Sequence, residues 1–165
     1  MRENVPAPLA LSETAPEKHV LKAKKMKRIC IIDGQGGGIG SAIIKRITAV
    51  ADSNLDIVAL GTNAIATAQM LKARANRGAS GENAIVHTVR HADIIIGPVG
   101  IIMADSMMGE LTPAMAHAVA SSPARKLLLP LSQENIEIVG QEKVPLPHLI
   151  DALITENLKS VLSED

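Results

Sequence analysis

The sequence predicts a single α/β domain: a doubly wound, mostly parallel sheet of about five strands with helices on both faces. Three observations carry that expectation. Short apolar runs alternate with segments of helical period from residue 27 onward. The first run, Ile31-Ile32-Asp33, ends in a loop of five glycines among seven residues, and a helix pattern begins at once. The chain has 165 residues, 47% of them hydrophobic, which suffices for one sizeable core.

The elements follow in order. Residues 1–26 read as a flexible tail, with Pro6, Pro8 and Pro16 and little periodicity. They lack the apolar stretch of a secretory signal. The first strand covers about 28–33. The first helix runs over about 39–51, with Ile39, Ile43, Ile44 and Ile47 on one face. A second strand, about 55–60, ends at Gly61-Thr62-Asn63, and a second helix fills about 64–75. Gly78-Ala79-Ser80-Gly81 reads as a loop, and 82–91 as a helix carried by Ile85, Val89 and Ala92. Asp93-Ile94-Ile95-Ile96-Gly97 is the third strand, and 101–109 reads as a short helix.

Thr112-Pro113 supplies an N-cap followed by proline at the first helical position, and Ser122-Pro123 stops that helix. A fourth strand is expected at about 126–131, and a fifth at Ile136–Val139, antiparallel to the fourth. Pro147 opens a closing helix to about 162. The composition shows neither a repeat nor a second domain.

Several functions are excluded by composition. Net charge is +0, which removes a global electrostatic case for nucleic acid or an anionic membrane. There is no Phe, Trp or Tyr, which rules out an aromatic stacking platform for single-stranded nucleic acid. No segment has the roughly 18 apolar residues of a membrane span. The lone Cys30 sits in the first strand as a small hydrophobe and fits a reducing, cytoplasmic compartment. A homo-oligomer is compatible with all of this.

The glycine loop is where chemistry is expected. Its spacing does not match G-x-G-x-x-G. It matches G-x-x-x-G-x-G in Gly34, Gly38 and Gly40. A strand, a glycine loop and a helix start bring backbone N–H groups and a positive helix end up to a phosphate. The candidate contacts are Asp33, Gly34, Gln35, Gly36, Gly37, Gly38, Ile39, Gly40 and Ser41. Gly61, Thr62 and Asn63 at the end of the second strand join them, as do Gly97, Pro98, Val99 and Gly100 at the end of the third. In an open α/β sheet these loops converge where the strand order reverses, together with Ser132–Asn135.

Asp33 has two readings: it accepts N–H bonds from the turn, or it serves as a ligand-hydroxyl acceptor or Mg²⁺ ligand. The end of the second strand lacks the carboxylate that NAD-selective folds place there, and Asp52 and Asp56 lie at the opposite edge. Asp105, Ser106 and Glu110 are the candidate substrate contacts. His87 and His91 are four apart but lack a convincing third ligand, so no metal is expected. A P-loop fits poorly, because Ser41-Ala42 follow Gly40 and no lysine occurs before Lys45.

Two resemblances add to this. The glycine loop alone resembles that of short-chain dehydrogenases, whose Tyr-x-x-x-Lys pair cannot exist here. From Arg28 on, the chain resembles a functionally uncharacterised family of short Rossmann-like bacterial proteins. The matching segments are Ile32–Gly40, Ala59–Thr67, Gly81–Ile85, and Asp93–Pro98 through Ala104-Asp105-Ser106. That resemblance implies the fold and no activity. The expected function is a module that binds or senses a nucleotide, NAD(P) or another, through Gly34–Ser41. Two alternatives stand beside it. One is an enzyme on a nucleotide or phosphorylated metabolite using Asp33, Asp105 or Glu110. The other is a ligand-free interaction subunit.

Overall fold

A computed structural model describes residues 1, 6–7, 25–51, 54–131 and 135–164. Most of the expected tail, Asp52 and the 132–134 part of the Ser132–Asn135 loop lie outside the described residues. The strands are β1 (Lys27–Asp33), β2 (Leu55–Gly61), β3 (Arg77–Ser80), β4 (Ile94–Pro98) and β5 (Arg125–Leu129). They form one sheet in the order β3-β2-β1-β4-β5, and every pairing is parallel. The strand order therefore reverses between β1 and β4, where the crevice of such sheets opens.

The sheet is doubly wound because both faces of its strands are apolar. On β1, Ile29 and Ile31 face one core, and Cys30 and Ile32 face the other. Helix α1 (Gly38–Val50) brings Ile43, Ile44 and Ile47 to the first face, and α2 (Ala64–Lys72) brings Met70. On the opposite face lie α3 (Glu82–Thr88) with Ile85 and α4 (Pro113–Ser121) with Met115 and Val119. The closing helix returns to the first face as α5 (Leu146–Ala152), a π-helical stretch (Leu153–Leu158) and α6 (Lys159–Ser163). The core is aliphatic throughout, as a chain without aromatic residues requires.

Three expectations are corrected. The fifth strand is β3, not Ile136–Val139, so the sheet is entirely parallel. Residues 136–139 hold only an isolated bridge at Ile136 and then a turn, and their Ile136, Ile138 and Val139 are exposed. The residues read as a loop, 78–80, are instead an edge strand. Arg-Gly-Ala-Ser has no β-branched residue, and what places it is the close approach of α2. A β-carbon at Gly78 would lie 2.9 Å from Thr67 Cγ2 and 3.1 Å from Leu71 Cγ. Finally, 101–109 is not a helix. A 3₁₀ turn (Val99–Ile102) gives way to a segment with left-handed backbone at Asp105, Met107, Met108 and Gly109, which no right-handed helix accommodates.

Candidate functional site

Three of the four loops expected at the carboxyl edge meet there. The first is the glycine loop, and its glycines divide by role. Gly37 is the N-cap of α1 with φ 70°, and a β-carbon on it would sit 2.6 Å from the Ala66 carbonyl oxygen. It permits both the turn and the approach of α2. Gly40 permits helix–strand packing, since a β-carbon there would meet Met70 Sδ at 2.5 Å and Asp33 Cβ at 3.0 Å. Gly36 and Gly38 are different. Both are exposed, a β-carbon on either would meet nothing within 4 Å, and neither N–H donates to a partner among the described residues.

Asp33 holds this turn from below. Its Oδ1 accepts the Gly34 N–H at 2.8 Å and its Oδ2 the Gly40 N–H at 2.7 Å. It is 4% exposed. Burial pushes its carboxyl above the usual range and outweighs the opposing pull of those N–H groups. Of the two sequence readings for Asp33, the geometry matches the turn acceptor. Ser41 also turns inward, donating its hydroxyl to the Gly37 carbonyl at 2.6 Å.

At the end of β2, Asn63 caps α2 by accepting the Ala66 N–H at 2.8 Å. Its amide nitrogen donates to the Gln35 carbonyl at 3.0 Å. Gly61 packs against Thr67 of α2. At the end of β4, Gly97 lies against β1, where a β-carbon would come 2.5 Å from the Ile32 carbonyl oxygen. Gly100 accepts the Ser106 hydroxyl at 2.6 Å. Of the second glycine cluster, only Pro98 borders the crevice described below, and Val99 borders a neighbouring one.

Glu110, expected from the sequence as a substrate contact or a catalytic group of the enzyme alternative, ties these loops together. One oxygen, Oε2, accepts from three donors: the Thr62 hydroxyl at 2.5 Å, the Gln35 N–H at 2.7 Å and the Asn63 amide at 2.9 Å. Its carboxyl is held below the usual range, first by the Thr62 hydroxyl, with the Gln35 and Asn63 donors adding to it against partial burial. The carboxylate missing at the end of β2 is thus supplied by a residue 48 positions later than Thr62. No sequence spacing could have revealed it.

A crevice of about 630 Å³ opens between the glycine loop and the 103–109 segment. Gly34, Gln35 and Ile39 line one side, Asp105, Ser106 and Met107 another, with Leu131, Asn135 and Ile136 beyond. The three loops, 33–41, 61–67 and 97–111, contain no Lys or Arg. What these loops offer an anion is backbone N–H groups and the start of the 13-residue α1, beside the carboxyl groups of Asp33, Asp105 and Glu110.

His87 and His91 stand edge to face with ring centroids 5.7 Å apart. Glu82 instead accepts the Thr112 hydroxyl at 2.5 Å, and Asp93 accepts the Arg28 N–H at 2.7 Å. Among the described residues, no group of three or more His, Cys, Asp or Glu could hold a metal. Asp56 lies at the start of β2, away from the crevice. Burial opposes its ionisation, but Arg77 and Arg28 outweigh that and hold it below the usual range. No helix among the described residues is long and apolar enough to cross a membrane.

Among solved structures, one described as a universal stress protein in complex with cAMP is similar. The match has 17% identity and a TM-score of 0.38, and it covers 64% of this chain and 98% of that one. No curated protein matches the chain. A family defined as a domain of unknown function, DUF3842, matches residues 28–162, and the chain belongs to that family.

Proposed function

We propose that this protein binds a nucleotide at the crevice between β1 and β4, with a phosphate seated on the N–H groups of Gly36 and Gly38, which lie outside the crevice lining in the loop between its lining residues Gln35 and Ile39. The observation that carries the proposal is the contrast within one loop. Gly37 and Gly40 lack side chains because the protein's own atoms stand where a β-carbon would go. Gly36 and Gly38 lack them with nothing in the way; both residues are exposed at the start of α1, and neither N–H has a partner among the described residues. Open space over exposed donors at a helix N-terminus is what a phosphate requires.

The absence of Lys and Arg from the three loops narrows the ligand class. A phosphodiester or the pyrophosphate bridge of a dinucleotide, with one charge per phosphorus, suits a site that offers only backbone donors and a helix end. The pyrophosphate bridge of NAD(P) and the diester or pyrophosphate groups of other nucleotides belong to that class. Base recognition falls to aliphatic and Met side chains such as Ile39, Met103 and Leu131 around the crevice. With Asp33 and Glu110 both occupied by loop donors, binding or sensing is favoured over catalysis.

Titration calorimetry with NAD(H), NADP(H), ATP, GTP and coenzyme A tests this, alongside mass spectrometry of the purified protein for a retained nucleotide. Saturable heat with at least one of them is expected. No heat with any, and no retained nucleotide, overturns the proposal.

A further inference from the structure

We infer that Gln35 N–H, the Thr62 hydroxyl and the Asn63 amide form a second oxyanion subsite, for which Glu110 is the protein's own competitor. The inference rests on the nucleotide reading above and specifies how that site is controlled.

Three donors from two separate loops point at a single anionic oxygen, at 2.5 to 2.9 Å. Both loops are ones beside which a nucleotide phosphate would lie. A ligand phosphate oxygen offers the same charge and the same acceptor geometry as Glu110 Oε2, so the two cannot share the donors. The segment carrying Glu110 also covers the loop. A β-carbon on Gly34 would lie 2.6 Å from Met107 Sδ and 2.9 Å from Glu110 Oε2. A ligand spanning both sides of β1 must therefore displace that segment.

The covering segment is held against its backbone preference. Asp105 (φ 63°), Met107 (φ 57°) and Met108 (φ 58°) are left-handed in a stretch of four residues, although Met gains nothing from that conformation. Met108 is 88% exposed, so its own packing does not account for the strain. Contacts at the ends of the segment hold it: Ser106 to the Gly100 carbonyl, Asp105 N–H to the Leu111 carbonyl, and Glu110 to its three donors. When a phosphate takes those donors, the carboxylate leaves, a like charge departs from beside the ligand, and the strained stretch is freed to relax.

The test compares wild type with Glu110→Gln, Glu110→Ala and the double variant Glu110→Gln/Thr62→Ala. Inorganic pyrophosphate and NAD⁺ are the calorimetric probes, and far-UV circular dichroism checks folding. Both single variants are expected to bind the probes about tenfold tighter than wild type, and the Thr62 change is expected to remove the gain. Equal or weaker binding in both single variants, with wild type binding at least one probe, makes Glu110 a structural tie and overturns this inference alone. A gain that survives the Thr62 change also overturns it, because the anion then uses other donors. Absence of binding of both probes in every form overturns this inference, and the nucleotide proposal falls with it only if NADP(H), ATP, GTP and coenzyme A also give no heat and no nucleotide is retained.

Discussion

Replacing Gly38 by Ala separates a glycine kept for the ligand from one kept for the fold. Gly38 is the first residue of α1, and its backbone lies outside the left-handed region. A β-carbon there meets nothing within 4 Å, so the folded state accommodates a methyl group without adjustment. Removing the conformational freedom of glycine from the unfolded chain stabilises by about 0.5–1 kcal/mol. For a domain of this size that raises Tm by about 1–4 °C. The same methyl enters the open space beside the N–H on which the phosphate is proposed to rest. Loss of that approach is expected to weaken nucleotide binding at least about tenfold, equivalent to about 1.4 kcal/mol.

Gly37→Ala is the control with opposite sign. A residue at φ 70° costs about 1–2 kcal/mol for any L side chain. Its β-carbon would also lie 2.6 Å from the backbone oxygen of Ala66, which cannot yield without moving α2. The two terms together put the loss at about 3 kcal/mol or more. Thermal melts by far-UV circular dichroism measure both variants, and calorimetry measures binding. Intrinsic fluorescence is of no use in a chain with no Trp or Tyr. A Gly38→Ala protein that melts lower than wild type, or binds nucleotide with full affinity, refutes the assignment of Gly38 to the ligand.

Two further outcomes follow from the buried groups around the loop. Asp33→Ala leaves the Gly34 and Gly40 N–H groups without their carboxylate, at about 1–3 kcal/mol for each donor left buried, and should lower the melting temperature by several degrees; a melt indistinguishable from wild type would show that the turn does not depend on Asp33. Cys30 is fully buried, and burial pushes its thiol up to about 12, so a thiol reagent at pH 8 should react only as the chain unfolds. Rapid labelling of native protein would contradict that burial.

The glycine spacing, the Thr112-Pro113 cap and the β-branched runs were legible in the chain because each is local. Ile29 to Ile32 read as a buried strand in any context, and Gly34–Gly40 as a turn into a helix. β3 was not legible. Its four residues lack strand propensity and pair only because β2 offers an edge and Gly78 lets α2 close over them. The reverse error at Ile136–Val139 has the same origin: an alternating apolar run becomes a strand only if an edge is free at the right register, and here no strand forms. The 101–109 segment misled because Met, Ala and Ile favour helix, while the contacts that hold Asp105, Met107 and Met108 left-handed come from Gly100 and Leu111 and from Gln35 far along the chain.

The sequence by itself determined the fold class, the central strand and the loop at which a phosphate would be expected, since periodicity and glycine placement are properties of neighbouring residues. Only the tertiary structure decided which glycines the protein fills with its own atoms and which it leaves open, that Asp33 serves the turn, and that Glu110 reaches Thr62 from 48 residues away. Those are facts about groups brought together by packing, and no pattern along the chain encodes a distance across it.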